Sequence, residues 1–185
     1  MTYIYFIRHS IPDTSIRDES RPLTKQGLIK ANELAAIFEK IEIDCIFSSP
    51  HKRSIQTVEP ISGNKGLNIT IVDNFRERKI ADGWIENFDE FCKKQWQDFS
   101  YKLENSESLK ETQERNIKSL KKILEDKPEN TIIIGTHGTS LSTIINYYDK
   151  TYGYSEFKKI EKIMPYIIKL EFNKNEYAGR TEILI

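Results

Sequence analysis

The chain has 185 residues, 28 of them Lys or Arg and 28 Asp or Glu, so its formal net charge at pH 7 is zero. This length is typical of one domain, and we expect residues 1–185 to form a single one. Apolar residues are frequent enough, at zero net charge, to exclude an intrinsically disordered chain. Balanced charge also gives no long-range attraction for nucleic acid or an anionic membrane, so we expect neither as a partner.

No run of about 18 apolar residues is present, and the apolar N-terminal run reaches Arg8 too early for a signal peptide. The sequence therefore predicts a cytoplasmic protein. Cys45 and Cys92 are the two cysteines, and they lack the Cys-x-x-Cys spacing of a zinc or redox motif. We expect no disulfide framework, no metal site and no cofactor.

Short runs of β-branched and aromatic residues predict strands at 3–7, 43–47, 69–72, 131–134 and 166–172, with a possible edge strand at 180–185. Apolar residues at helical spacing predict helices between these strands. The first helix has Thr24 as its N-cap, with an apolar face made by Leu28, Ala31, Leu34, Ala35 and Phe38.

The second helix is predicted to begin at Ser49-Pro50, with Ser49 as the cap, and to end near Pro60. The fourth follows Ser108, which has the capping-box spacing to Glu111, and the fifth begins near Gly138. The third carries an apolar stripe made by Phe88, Phe91, Cys92, Trp96, Phe99 and Leu103.

Strands that alternate with helices of this length indicate a three-layer α/β/α fold with a mostly parallel central sheet. Ligands of such sheets bind at the carboxyl ends of the strands. At this edge, three strands are followed by basic or imidazole side chains, in Arg8-His9-Ser10, Ser48-Ser49-Pro50-His51-Lys52-Arg53 and Gly135-Thr136-His137-Gly138.

Each of these residues alone has a simpler interpretation, because a histidine at a strand end is often structural and an arginine early in a helix is often solvated. Placed together, two imidazoles and two guanidiniums repel one another unless an anion lies between them. A phosphoryl group meets this need, since Arg binds phosphate through two parallel hydrogen bonds and helix N-termini offer free N–H groups. The sequence therefore predicts a metal-free phosphate site.

These motifs resemble those of the histidine phosphatase superfamily, which has the phosphoglycerate-mutase-like fold. The resemblance spans Tyr3 to about Tyr148 and rests on Arg8-His9, Ser48-Ser49-Pro50-x-x-Arg53-x-x-Gln56-Thr57 and Thr136-His137-Gly138. Two further stretches, Arg21-Pro22-Leu23-Thr24-x-x-Gly27 and Glu107-Ser108 followed by Arg115, are also similar.

The resemblance implies that His9 is the nucleophile that becomes phosphorylated and that Arg8, Arg53 and His137 hold the transferring group. Glu77 matches the proton donor of the family, with Asp82 and Glu86 as the alternative acids. A neutral imidazole is a competent nucleophile near neutral pH, and fixed cations stabilise the charge on the phosphoryl oxygens.

The residues after His9 depart from the family pattern. Ser10-Ile11-Pro12-Asp13 stands where Gly-Glu-Thr is common, and Ser15 stands where an Asn often contacts phosphate. We keep Ser15 and Gly138 as candidate phosphate-binding residues. His51 is expected to face solvent.

The segment 78–107 is predicted to be an insertion that covers the pocket. Its aromatic residues could line a substrate site, although an aromatic stripe at helical spacing is more often part of a core. The residues concerned are Trp84, Phe88, Phe91, Trp96 and Phe99.

The sequence thus predicts a metal-independent phosphatase that acts on a small phosphorylated substrate through a phosphohistidine at His9. A phosphoglycerate-mutase-type phosphoryl transferase and a non-catalytic phosphate-binding or regulatory module are the alternatives. A metallohydrolase is disfavoured, because the histidines lack the His-x-His and His-Glu-x-x-His spacings of metal sites. The physiological substrate and the oligomeric state stay open.

Overall fold

The computed structural model describes residues 1–16, 18–81 and 85–183. Within these ranges the strands are β1 (Thr2–Arg8), β2 (Cys45–Ser48), β3 (Ile69–Ile71), β4 (Thr131–Thr136), β5 (Tyr166–Asn173) and β6 (Glu176–Ile183). The helices are α1 (Lys25–Ile37), α2 (Lys52–Lys65), α3 (Phe88–Gln97), α4 (Leu109–Asp126), α5 (Gly138–Tyr148) and α6 (Tyr154–Glu161). A short 3-10 turn covers Asp73–Phe75.

The strands form one sheet in the order β3-β2-β4-β1-β5-β6. The first four of these strands pair in parallel, whereas β5 is antiparallel to both of its neighbours. The predicted, mostly parallel sheet is therefore confirmed. Its register pairs Arg8 with Thr136 and Ser48 with Gly135, so the carboxyl ends of β1, β2 and β4 lie side by side at one edge.

Apolar side chains cover both faces of the sheet, because successive residues of a strand point to opposite sides. On β4, Ile132 and Ile134 pack in the layer that holds α4 and α5, while Ile133 packs in the layer that holds α1 and α2. The two layers and the sheet make the predicted three-layer architecture. None of the described helices is long and apolar enough to cross a membrane.

The local start signals of three helices are confirmed. The Thr24 hydroxyl accepts from the Gly27 amide at 3.0 Å and caps α1. Ser108 and Glu111 form the reciprocal capping box of α4, and α5 begins at Gly138. These signals depend on neighbouring residues alone, which explains why they can be identified without the tertiary fold.

The predicted bounds of α2 are wrong at both ends. The helix begins at Lys52 after the N-cap His51, and Ser49 is not its cap. Pro60 lies inside the helix, which continues to Lys65 and ends at Gly66 in the left-handed conformation. Because Val58 and Ile61 are fully buried, apolar packing outweighs the hydrogen bond that proline removes.

Other differences concern exposure and element ends. Leu28 is 39% exposed and lies outside the buried face of α1. Phe99 and Leu103 lie beyond the end of α3 at Gln97, because the helix covers only the first part of the aromatic stripe. The edge strand begins at Glu176, and residues 184 and 185 lie outside the described residues. The short, charge-rich α6 was not predicted.

The loop that follows His9 is anchored on the start of α1. The Ile11 carbonyl accepts from the Thr24 amide at 2.9 Å, and the Asp13 amide donates to the Pro22 carbonyl at 2.8 Å. A Cβ atom at Gly27 would lie 2.3 Å from the Ile11 carbonyl oxygen, so only glycine allows this approach. The loop therefore has one position relative to α1.

We predict that Gly27→Ala lowers the free energy of unfolding by about 1–3 kcal/mol, because the methyl group displaces the Ile11 carbonyl. Gly63→Ala is the matched control: Gly63 is exposed within α2 and a Cβ there meets nothing within 4 Å. That control should stabilise the protein by up to about 1 kcal/mol. Urea titration measures both, and equal effects of the two substitutions would contradict the close approach.

Candidate active site

His9 lies directly after β1, at the edge where the strand ends meet. Its backbone N–H donates to the Thr136 carbonyl at 3.0 Å. Its Nδ1 lies 2.7 Å from the Ser10 carbonyl oxygen, and since a carbonyl only accepts, Nδ1 carries the ring proton. The lone pair of the neutral ring is therefore on Nε2, which forms no hydrogen bond with the described residues.

Burial is the main reason why the pKa of His9 lies well below its usual value, and the Arg53 charge lowers it further. The hydrogen bond to Ser10 opposes these effects without reversing them. The imidazole is therefore neutral at neutral pH. A neutral imidazole with a free Nε2 is a competent nucleophile.

His137 lies beside His9, and the centroids of their rings are 5.3 Å apart. It is fully buried as the N-cap of α5, and burial, followed by the Arg53 charge, holds its pKa well below the usual value. The Ser49 hydroxyl lies 2.7 Å from its Nε2 and accepts from the His51 amide at 3.2 Å. The hydroxyl and Nε2 share one hydrogen bond, while the buried Nδ1 of His137 has no partner among the described residues.

The predicted solvent-facing position of His51 is wrong. The side chain is buried, with its ring centroid 4.7 Å from that of His137, and its Nε2 lies 3.6 Å from a Glu19 carboxylate oxygen. Burial lowers its pKa, as does the Arg53 charge. His51 and His137 are the N-caps of α2 and α5, which lie on opposite faces of the sheet, so the contact forms where the two helix starts meet at the sheet edge. No local sequence signal reports it.

Arg8 and Arg53 are both buried, each with 8% of its surface exposed. One Arg8 nitrogen, Nη1, donates to the carbonyls of Ile160 and Ile163, whereas the buried Nε has no partner among the described residues. The Arg53 guanidinium makes no hydrogen bond within the described part of the chain. Burial lowers its pKa to about 10, so both guanidiniums are charged at neutral pH.

Gly138 allows Arg8 to approach the start of α5. A Cβ atom at this position would lie 3.2 Å from Arg8 Nε, which is closer than most side-chain contacts allow. The guanidinium therefore lies against the helix N-terminus, where the positive end of the helix dipole also favours an anion.

Glu77 follows the 3-10 turn and is half-buried. Its carboxylate accepts from the amides of Thr139 at 3.0 Å and Ser140 at 3.2 Å, in the first turn of α5. It also accepts from the Arg78 amide at 2.9 Å, and its charge acts on Arg8 and Arg53. The structure thus brings the predicted acid to the same edge as the cations.

A cleft of about 880 Å³ opens at this edge, and Arg8, His9 and His137 are not among the described residues that line it. His51, Arg53 and Glu77 contribute to its lining from the sheet edge. Its outer walls come from two parts of the chain. The loop after His9 contributes Thr14, Asp18, Glu19 and Arg21. The segment around and after Glu77 contributes Arg76, Arg78, Lys79, Ile80, Ala81, Ile85, Phe88 and Glu107.

The aromatic stripe of α3 is divided between the cleft and a core. Phe88 is 40% exposed and lines the cleft, whereas Phe91 packs with Cys92 and Phe157 in a small separate core. Trp96 packs against that core as well. Glu86 is exposed and does not line the cleft, and Asp82 and Trp84 lie outside the described residues.

Ser15 is placed apart from the other candidates. It is exposed, and its hydroxyl and amide both donate to one Asp13 carboxylate oxygen, at 2.6 and 3.0 Å. Thr14, not Ser15, lines the cleft. The Asp13 carboxylate, two residues earlier, accepts the hydrogen bonds that the family resemblance led us to expect between Ser15 and phosphate.

Thr57 links the nucleophile loop to the helix that carries Arg53. Its hydroxyl accepts from the Ser10 amide at 2.9 Å and donates to the Arg53 carbonyl at 2.7 Å. The positions of His9 and Arg53 are therefore coupled. Within residues 1–16, 18–81 and 85–183, no group of three or more His, Cys, Asp or Glu side chains could hold a metal ion.

The buried histidines predict how stability depends on pH. In the unfolded chain their pKa is about 6.5, and burial lowers that of His9 and His137 in the folded protein. As the pH falls from about 7.5 to about 5.5, the unfolded chain binds protons that the folded protein does not, so the free energy of unfolding decreases. Each histidine contributes at most about 1.4 kcal/mol per pH unit.

Urea titration across this range, in a buffer without phosphate, measures the slope. We expect His9→Gln to have a shallower slope than the unsubstituted protein, because one titrating group has been removed. An unchanged slope in His9→Gln would contradict the neutral, buried state of His9.

Comparison with known proteins gives a family match over most of the chain. Residues 4–180 match the family model of the histidine phosphatase superfamily (branch 1). The chain is 27% identical over 150 residues to an uncharacterized phosphatase, PhoE, of Bacillus subtilis. The matched region covers 78% of this chain and 76% of that protein.

Two solved structures have the same fold. YhfR of Bacillus stearothermophilus superimposes with a TM-score of 0.80 at 20% identity, covering 96% of this chain and 95% of that one. A phosphoserine phosphatase mutant from Entamoeba histolytica, in complex with phosphoserine, superimposes with a TM-score of 0.79 at 22% identity, covering 96% and 94%.

Proposed function

The chain belongs to the histidine phosphatase superfamily, and we propose that it hydrolyses a small phosphomonoester through a phosphohistidine at His9, with Glu77 as the proton donor. Its enzyme class is that of the phosphoric monoester hydrolases. Arg8, Arg53 and His137 hold the transferring group, together with the amide-rich start of α5 at Gly138.

Buried polar groups without protein partners support the proposal most directly. Arg8 Nε and His137 Nδ1 are buried and have no hydrogen-bond partner among the described residues. Arg53 is 8% exposed, and its guanidinium makes no hydrogen bond to the described residues. A buried donor left unpaired costs about 1–3 kcal/mol. The oxygens of a phosphoryl group satisfy several such donors at once, and its negative charge compensates the two guanidiniums.

In the first step, the lone pair of His9 Nε2 attacks phosphorus and forms the P–N bond. The bond between phosphorus and the ester oxygen breaks, and its electron pair leaves with that oxygen. Glu77, in its protonated form, gives its proton to the departing oxygen, so that an alcohol and not an alkoxide is released. The guanidiniums stabilise the charge on the equatorial oxygens throughout the transfer.

In the second step, a water molecule attacks the phosphohistidine. The Glu77 carboxylate takes a proton from this water as the P–O bond forms. The P–N bond breaks, and its electron pair returns to Nε2. Inorganic phosphate leaves, and both His9 and Glu77 are back in their starting protonation states.

The cleft fits a small substrate, since its volume of about 880 Å³ is within the range of small-molecule sites. We propose that the segment 78–107 covers the phosphate site, because seven of its residues line the cleft: Arg78, Lys79, Ile80, Ala81, Ile85, Phe88 and Glu107. This segment then contacts the part of the substrate that is released. The phosphoserine bound to the Entamoeba relative is one candidate of this size.

We predict that His9→Ala hydrolyses p-nitrophenyl phosphate at least about 1,000-fold more slowly than the unsubstituted protein, with EDTA present throughout. A labelled phosphoenzyme, stable in base and labile in acid, should form with the unsubstituted protein only. Thermal unfolding of both proteins controls for folding.

Release of inorganic phosphate separates the candidate functions. A mutase-type transferase would pass the phosphoryl group to a second hydroxyl compound instead of to water, and a binding module would release none from any ester. Undiminished turnover in His9→Ala would exclude the phosphohistidine route.

A further inference from the structure

The guanidinium of Arg115, in α4, binds the Glu107 carboxylate and the backbone around Glu77. Its Nε and Nη2 donate to the two Glu107 carboxylate oxygens at 2.8 and 2.9 Å. The remaining N–H groups donate to the carbonyls of Asn74, Arg76 (2.9 Å) and Glu77 (3.3 Å). All five donors of the side chain are therefore used.

Glu107 holds the other side of the same loop. Its carboxylate accepts from the Lys79 amide at 2.9 Å and from Arg76 Nη2 at 3.0 Å. Its own amide donates to the Lys79 carbonyl at 2.8 Å. Although burial opposes ionisation, the hydrogen bonds from Arg115 and Lys79 lower the pKa of Glu107, so the carboxylate is charged.

Glu77 is thus held from two helices. The Glu107–Arg115 pair fixes the backbone on both sides of it, and this pair is mostly buried, with 17% and 11% of the side chains exposed. The amides of Thr139 and Ser140 in α5 fix its carboxylate. Among the described residues, no hydrogen bond or ion pair joins Glu107 or Arg115 to Arg8, Arg53 or His137.

We propose that Glu107 and Arg115 are positioning residues that set the distance between the Glu77 carboxyl group and the leaving oxygen. The proposal rests on the proposed function of Glu77 as the acid. A general acid must lie about 2.6–3.2 Å from the oxygen that it protonates. A displacement of about 1 Å costs on the order of 100-fold in rate, and this loss depends on how much the leaving group needs the proton.

The test compares two phosphate esters whose leaving groups differ in how much they need a proton from the general acid. p-Nitrophenolate is a stable anion and leaves with little protonation, whereas the alkoxide of an alkyl phosphate such as glycerol 2-phosphate requires it. Arg115→Lys keeps the charge but cannot form the forked pair or reach three carbonyls. We expect its kcat/KM to fall about 100-fold for the alkyl ester and less than about threefold for the aryl ester.

Lys118→Gln is the matched control, because it removes a positive charge from the exposed face of the same helix, one turn further along. It should leave both rates unchanged. Glu77→Gln should show the same dependence on the leaving group as Arg115→Lys. In the Glu77→Gln background, Arg115→Lys should add no further loss, because both substitutions remove one function.

Equal losses on the two esters, or additive losses in the double variant, would overturn the positioning role while leaving the acid role of Glu77 in place. Equal losses in Glu77→Gln itself would overturn the acid role and the positioning role with it. If Arg115→Lys does not fold, Glu107→Gln gives the same comparison. We expect about a 10-fold loss for the alkyl ester in that variant, since Arg115 keeps its carbonyl contacts.

Discussion

Two desolvated guanidiniums at one sheet edge are the constraint around which this protein is organised. Arg8 and Arg53 are almost fully buried and charged, and the Glu77 carboxylate is the nearby negative charge that acts on both. Removing such charges from water is costly unless an opposite charge or hydrogen bonds replace the solvent. This cost is the physical basis of the phosphate site that we propose.

The rest of the structure keeps these charges in place. Parallel pairing of β1 with β4 and of β4 with β2 puts Arg8, Ser48 and Thr136 at one edge. Two carbonyls at the end of α6 hold one end of the Arg8 guanidinium. Burial, together with the same positive charges, keeps the imidazoles neutral. In the function that we propose, one arrangement therefore both binds a phosphoryl group and prepares the nucleophile.

The sequence predicts the parts of this arrangement that depend on local order. Strand runs, the caps Thr24 and Ser108, and the polar residues after each strand follow from spacing alone, and they locate the sheet and the site edge. Contacts between distant elements are different. His51 is buried against His137 because the starts of α2 and α5, from opposite faces of the sheet, meet at one edge.

Glu107, which holds the loop that carries Glu77, shows the same limit of prediction from sequence. Glu107 and Arg115 were visible as a motif, but the spacing of the two residues does not reveal that they bind the backbone of residues 74–79. Similarly, Pro60 predicts a helix end, whereas the burial of Val58 and Ile61 stabilises α2 beyond this residue. In each case tertiary packing supplies the free energy that decides between local alternatives.

The most direct measurement of the central claim is the effect of orthophosphate on stability. Urea unfolding is compared in orthophosphate and in chloride at equal ionic strength, for the unsubstituted protein and for Arg53→Gln. An anion site predicts a free energy of unfolding higher by about 2.7 kcal/mol when phosphate is at 100 times its Kd, and little gain in Arg53→Gln. Equal stability of the unsubstituted protein in the two salts, at every phosphate concentration, would contradict the claim.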